Sequence, residues 1–305
     1  MIRQQTGNGR TPTAVENLLL SELASTPAEI WMALQRFAGP SDREQHAMRQ
    51  TVDVLFQHGY EMVVATYEHL RHVPETAEIL GWEQGVDEAH LVERRRFFTI
   101  WLARTLSLDL GTDFADYLFQ AGQVHAGHGP RHIHTPPLWV TGSMGLVLAA
   151  FAEYIRIEHD DVNIVAPALA GWNKYLMMQL NQMHTGYMAA RALDAGSFAV
   201  PIRAYARVRN ILPHPTMTVQ VYKENTVGDL LRKLLGVAPA LRDMMLEQSW
   251  QTEDVEHDEW PRVEPVYTLR DGWRVLLNGH DIRYHGGFNQ SLSAGDQVDI
   301  FPPGR

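Results

Sequence analysis

The densest group of potential metal-binding side chains in this sequence lies between His125 and His134. The chain has no cysteine. That excludes disulfides, thiolate zinc sites, iron–sulfur clusters and a thiol nucleophile, and leaves His, carboxylate, Tyr or Met to hold any metal or cofactor. His125 closes an apolar stretch, Tyr117-Leu118-Phe119-Gln120-Ala121-Gly122-Gln123-Val124-His125, just before a corner rich in glycine. A neutral imidazole there can reach across a pocket to a metal; a packed core histidine has the same local sequence. His128, His132 and His134 follow closely, and His132-x-His134 has a spacing that suits zinc or nickel. No carboxylate lies in that loop, so solvated loop histidines are the simpler reading. Met177, Met178, Met183 and Met188 read as gap-filling core or interface residues rather than sulfur ligands.

The elements that must position these groups follow from apolar spacing. From Ser41 to about Arg191 the pattern is helical. Val52, Leu55, Phe56, Met62, Val63, Tyr67 and Leu70 recur near a period of 3.6 and predict a helix over Thr51 to Arg71. Further helices are expected at Glu88 to Leu106, from a cap at Asp113 to about His125, at Leu138 to Ile157, and at Val162 to Leu193. Gly127, Gly129, Pro130, Pro136 and Pro137 break the chain between the second and third of these. Gly142 and Gly145 would allow a neighbour close approach. Beyond Gly196 the period drops to two. Strands are expected at Val200 to Val208, Met217 to Tyr222, Trp273 to Leu277, Asp281 to Tyr284 and Gln297 to Phe301, with one principal helix over Thr226 to Leu235. The acidic, proline-containing stretch from Gln251 to Pro265 reads as a surface loop.

At 305 residues the chain has room for about two domains. Apolar residues are 45% and charged residues 20%, an ordinary globular balance that excludes a disordered or fibrous chain. The net charge of −10 makes the chain a poor counterion for phosphate, so no nucleic-acid partner is expected. From Ala199 onward there are 12 basic and 14 acidic residues, so the acidity sits in the helical half. The basic run Arg94-Arg95-Arg96 reads as a solvated helix face, or as a cluster meeting a cofactor's propionates or a partner. No run of 18 apolar residues occurs, so no spanning helix and no membrane partner are expected. The first ten residues lack a secretory pattern, and the cytoplasm is the expected compartment.

Three pieces of the helical half resemble the protoglobin and globin-coupled sensor family over about Gln45 to Ala192. They are Thr66-Tyr67-Glu68-His69-Leu70 with Pro74-Glu75-Thr76 and Ile79-Leu80; the helix holding Phe97, Phe98 and Trp101; and Tyr117, Gly122 and His125 followed by Pro-Pro-x-Trp. The resemblance implies an all-α globin-like domain binding haem b, with His125 as the proximal iron ligand. Tyr67 would be the distal hydrogen-bond donor to a diatomic gas (O2, CO or NO), with Tyr60 in reserve. Phe98 would form an aromatic wall and Leu146 a contact from the following long helix. It also implies a homodimer through the last two long helices, for which Met144, Phe151, Trp172 and Met183 would suit the seam.

The second half resembles the MoaD/ThiS family of ubiquitin-like β-grasp sulfur carriers over about Val200 to Arg305. Pro201-Ile202-Arg203-Ala204-Tyr205, Thr226-Val227-Gly228-Asp229-Leu230-Leu231, the Asn278-Gly279 and Gly295-Asp296 turns and the Phe301-Pro302-Pro303 close carry that resemblance. Such carriers end in Gly-Gly, whereas this sequence reads Gly304-Arg305. The expectation is therefore a docking module for a protein partner, without sulfur-carrier chemistry. The whole is expected to be a two-domain protein: a globin-like domain over 1–197, whose first 40 residues form an extension, then an α+β β-grasp domain over 198–305. The expected task is binding or sensing a diatomic gas through haem. The competing readings are a haem-regulated sulfur carrier of the molybdopterin or thiamine type, and a haem enzyme acting on nitric oxide or peroxide. No catalytic residue is assigned.

Overall fold

A computed structural model of the chain describes residues 16–212, 216–253 and 262–304. The chain divides into a helical unit, Ser25–Arg191, and a second unit built from Ala192–Arg305 together with the segment before Ser25.

The helical unit comprises α1 (Pro27–Ala38), α2 (Asp42–Gln57), α3 (Gly59–His72), α4 (Pro74–Leu80), α5 (Glu88–Leu106), α6 (Thr112–His125), α7 (Pro137–Glu158) and α8 (Val162–Leu193). Capping boxes start α1 and α2: Thr26 with Glu29, and Ser41 with Glu44, each satisfying two otherwise orphaned N–H groups. Gly81, in the left-handed region, ends α4. One apolar core joins Trp31, Leu55, Phe114, Leu118, Phe151 and Trp172. Its polar edges are tied across the unit. Trp31 Nε1 donates to the Leu110 carbonyl at 3.0 Å, Trp172 Nε1 to the Thr51 hydroxyl at 3.0 Å, and the Tyr175 hydroxyl to the Asp109 carbonyl at 2.6 Å.

Several expectations change here. The stretch read as an extension contains α1, whose Trp31 is fully buried. The single helix expected over Thr51 to Arg71 is two, broken at His58. Asp113 lies in the first turn of α6, and Gly111 occupies the cap position. Met144, Phe151, Trp172 and Met183, expected on a seam with a second subunit, are buried inside this unit's own core. The outward apolar positions of α7 and α8 instead include Leu138, Leu146, Met177 and Met188. Gly142 and Gly145 have no neighbour within 4 Å of a Cβ built on them. By length and composition alone α7 could cross a bilayer. Counting uninterrupted apolar residues missed this, because glycine, serine and threonine punctuate the helix.

The second unit holds a five-stranded sheet in the order β2-β1-β7-β5-β6, formed by β1 (Phe198–Ala204), β2 (Thr216–Val221), β5 (Arg274–Leu277), β6 (His280–Asp281) and β7 (Val298–Phe301). β1 runs parallel to β7 and antiparallel to β2, while β5 runs antiparallel to β6 and β7. One face supplies Val200, Ile202, Val219, Val275 and Ile300, all fully buried. They share the core with Leu230, Leu231 and Leu234 of α9 (Val227–Val237), which starts at a Thr226–Asp229 capping box. This is the ubiquitin-like β-grasp arrangement. A short α10 (Pro239–Met245) and a separate hairpin, β3 (Leu246–Glu253) with β4 (Arg262–Leu269), were not expected. Much of the stretch read as a loop is this hairpin; its residues 254–261, like Arg305 of the Gly304-Arg305 ending, lie outside the described residues. The strand expected over Asp281 to Tyr284 is mostly a 3₁₀ turn. Residues 17–24 complete the unit. Leu20 is fully buried and exchanges two backbone hydrogen bonds with Tyr267, at 2.9 and 2.8 Å. Arg232 and Arg242 donate to the Ser21 and Ala24 carbonyls.

Candidate functional site

The helical unit forms a partly open cavity of about 460 Å³ walled by α3 to α8 and the α6–α7 loop, within the size range of cofactor pockets. From α6 come Tyr117, Gln120, Ala121, Val124 and His125, one stripe at spacings of three and four. Two glycines set the position of that helix. A Cβ on Gly122 would run into the Met183 backbone carbonyl of α8, and one on Gly186 into the Phe119 carbonyl of α6. The helices therefore cross at backbone contact one turn before His125, as only glycine permits.

His125 lines the cavity and its Nδ1 is buried without a hydrogen-bond partner. Burial, and then the charge of Arg94, hold its pKa down at about 4. The ring is thus neutral near pH 7 and offers a lone pair. The loop after it folds straight back: Thr135 N–H donates to the His125 carbonyl at 2.7 Å, and Ala126 bridges to His134. Arg131 carries this loop to α5, pairing with Glu93 at 2.8 Å and reaching Asp87 at 3.8 Å.

Across the cavity, α3 contributes Tyr67 and α5 contributes Arg94, Phe97, Phe98 and Trp101. The Tyr67 hydroxyl donates to the Arg94 carbonyl at 3.0 Å, and burial pushes its pKa up to about 12, so it stays a donor at any ordinary pH. Its ring meets Phe98 edge-on at 6.1 Å, and Phe98 stacks on Trp101 at 5.3 Å. Arg94 Nε donates to His90 Nε2 at 2.8 Å; burial lowers the His90 pKa and keeps that acceptor unprotonated. Of the three arginines read as one solvated face, only Arg96 is fully on the surface. Arg94 lines the cavity and Arg95 pairs with Glu68 at 3.7 Å.

Three of the four expected site residues, His125, Tyr67 and Phe98, line this one cavity. Leu146 does not: it is 37% exposed on the outer side of α7. The α7 stripe in the wall is Trp139, Val140, Ser143, Met144 and Val147, and a residue beside that stripe is turned away by about 100° of helix. Tyr60 is 77% exposed and has no access. His134 pairs with the Tyr187 hydroxyl at 2.8 Å, and among the described residues no three His, Asp or Glu gather as a metal site. Tyr117, Trp101, Trp139 and Arg131 were not singled out from sequence as site residues. Counting turns from His125 along α6 would have found Tyr117. Arg131 gave no local signal, since its partners are on α5.

The donor set decides what can fit. A bare ion would need several ligands, whereas here one neutral imidazole faces a mainly aromatic and aliphatic cavity whose charged lining residues are two guanidiniums and one carboxylate, Glu93, paired with Arg131. That set fits a large, mainly apolar group carrying its own metal coordination and peripheral carboxylates, as haem does.

The Protoglobin family model matches residues 28–192, and the ThiS family model matches residues 202–304. No curated protein matches the chain. Among solved structures, the globin domain of the Geobacter sulfurreducens globin-coupled sensor is similar at 20% identity, covering 54% of this chain and 99% of that one, with a TM-score of 0.42. The small archaeal modifier protein 1 of Methanosarcina acetivorans is similar at 24% identity, covering 36% of this chain and 96% of that one, with a TM-score of 0.27. The Haloferax volcanii counterpart is 25% identical, with 35% and 96% covered and a TM-score of 0.25. The Protoglobin match spans more than half of the sequence and takes in every residue lining the cavity, so the chain belongs to the protoglobin family, with a ThiS-family β-grasp unit following the globin.

Proposed function

We propose that the helical unit binds haem b through His125 and takes up a diatomic gas, O2, CO or NO, as a sensor whose state the β-grasp unit passes to a protein partner in the cytoplasm. The observation that carries this is His125: a neutral, cavity-lining imidazole at the end of a helix anchored by a glycine crossing. When bound, haem would supply an iron centre able to take up a gas ligand. His125 would hold the iron through its imidazole lone pair. Phe98 and Trp101 exclude water from the opposite wall. Tyr67 exchanges its hydrogen bond with the Arg94 carbonyl for one to a polar ligand. Arg94 and Arg131 offer charge to the carboxylates at the ring's edge.

A second copy of the chain is the expected partner for the outward face of α7 and α8, where Leu138, Leu146, Met177 and Met188 are exposed beside two uncovered glycines. The ThiS-family match supports a second reading, a sulfur carrier governed by the haem unit. Replacement of oxygen by sulfur, seen as a mass gain after incubation with an activating enzyme, ATP and a sulfur donor, would favour it.

The test of the main reading is an absorption spectrum of the purified chain and of His125→Ala. The wild type should show a Soret band, and the variant should lose it or regain it only with added imidazole. A wild-type-like spectrum and iron–histidine stretch in the variant would refute the assignment.

A further inference from the structure

Gln179 of α8 is fully buried, an unusual place for an amide. Its Oε1 accepts from Trp101 Nε1 at 2.8 Å and from the Thr105 hydroxyl at 3.2 Å, two residues one turn apart on α5. An indole N–H can only donate, so the oxygen must face Trp101 and the amide cannot be turned round. Gln179 Nε2 is then left buried with no partner. A buried unpaired N–H is costly, and methionine would fill the same space without it. The cost is tolerated at a residue that bonds to the wall of the cavity. Trp101 stacks on Phe98, Phe98 meets the edge of Tyr67, and Tyr67 holds the Arg94 carbonyl.

We propose that Gln179 is a positioning residue for the ligand-facing wall: it fixes the Trp101 ring and, through Phe98, the place from which the Tyr67 hydroxyl meets a gas ligand. This rests on the haem reading and extends it to a residue that does not line the cavity. Packing alone would make Gln179 matter for stability. Positioning makes it matter for the polarity a ligand experiences, and makes that effect run through Trp101.

The test uses the full chain carrying Gln179→Met, Gln179→Glu or Trp101→Phe, and the double variant Gln179→Met with Trp101→Phe. Without haem, the Trp101 indole N–H resonance, assigned by its loss in Trp101→Phe, reports the hydrogen bond. With haem, the stretching frequency of added carbon monoxide and the oxygen off-rate report the wall. Gln179→Met should move the indole resonance to its unbonded position, shift the carbon monoxide stretch and raise the off-rate about two- to tenfold. Gln179→Glu, protonated in this buried place and still an acceptor, should stay near wild type in all three. In the Trp101→Phe background Gln179→Met should add nothing. A moved indole resonance with wild-type stretch and off-rate would reduce Gln179 to packing. An additive effect in the double variant would show that it does not act through Trp101. Either result overturns the proposal and leaves the haem reading standing, whereas a wild type that takes up no haem overturns both. Should Gln179→Met fail to fold, Trp101→Phe alone must alter the stretch and off-rate, and unchanged values overturn the proposal.

Discussion

Gly122→Ala and Gly145→Ala are the same chemical change in two helices, and they should have opposite signs. Replacing a mid-helix glycine by alanine gains about 1 kcal/mol from backbone entropy alone. At Gly145 nothing beyond the adjoining backbone of its own helix lies within 4 Å of the new methyl, so the single chain should keep that gain. At Gly122 the methyl meets the carbonyl of Met183 and the backbone nitrogen of Tyr187. Backbone cannot rotate away as a side chain can, so α6 must move off α8. Overpacking costs roughly 1–3 kcal/mol where side chains can adjust; backbone cannot, so the upper end applies and, less the gain of about 1 kcal/mol, the net change at Gly122 should be a loss of about 2 kcal/mol or more. In a unit of this size that lowers the melting temperature by about 2–4 °C per kcal/mol. The displacement also falls one turn before His125, so haem uptake should weaken alongside stability. Thermal unfolding followed by circular dichroism, with haem titration of each variant, tests both effects. A Gly122→Ala protein as stable as wild type would refute the glycine crossing as the anchor of α6. Sedimentation of Gly145→Ala adds a second reading, because a methyl on the outer face of α7 should weaken self-association there.

Tyr67→Phe should speed oxygen release about five- to a hundredfold, for the loss of one hydrogen bond of about 1–3 kcal/mol, and barely change carbon monoxide release; stopped-flow measurement of equal oxygen off-rates would rule out Tyr67 as donor. Leu20→Ala should cost about 2–5 kcal/mol and lower amide-exchange protection in α9 and β4, with α5 to α8 unaffected; unchanged protection in the β-grasp unit would refute the role given to that segment. The Lys174 ammonium, hydrogen-bonded to Glu44, holds that carboxyl below its ordinary 4.5. The pair therefore stabilises the fold fully above that value and is lost as pH falls through the lowered pKa. Glu44→Gln should flatten the acid limb of the pH–stability curve, and identical limbs would refute the linkage.

What could be read in the sequence was whatever one local pattern determined. α5 and α8 run as the apolar period predicts, Glu88–Leu106 and Val162–Leu193, because each presents a long stripe to one core. The place of His125 in the cavity lining was legible because a helix end, a glycine and a proline-rich corner meet there. What escaped depends on distant partners. The Trp31 indole that pins α1 bonds a carbonyl 79 residues away. The β3–β4 hairpin pairs with itself and leaves residues such as Trp250 and Val263 exposed, so it lacks the alternation of a half-buried strand. Leu146 was missed by phase: the helix was right, but its inward stripe is fixed by neighbours on other helices. Gln179 carries no sequence signal, since a glutamine inside an apolar helix shows its purpose only when the indole opposite is seen.

The β-grasp unit is not one continuous piece of chain, and this decides how the protein can be taken apart. The polypeptide first docks residues 17–24 on the β-grasp unit, with Leu20 bridged to Tyr267 of β4, then makes the whole helical unit, then returns to complete the sheet. The globin is thus an insertion within its neighbour's sequence. Its own ends suit that arrangement: the Pro27 carbonyl accepts from Gln182 Nε2 at 3.0 Å, so the first turn of α1 lies beside the later part of α8, as insertion requires. A single cut near Gly196 should therefore leave two fragments that copurify, joined by the pairing of Leu20 with Tyr267. A β-grasp fragment expressed from Ser197 onward would lack a strand partner and a buried leucine of its own core, and should recover both from a synthetic peptide spanning residues 16–25.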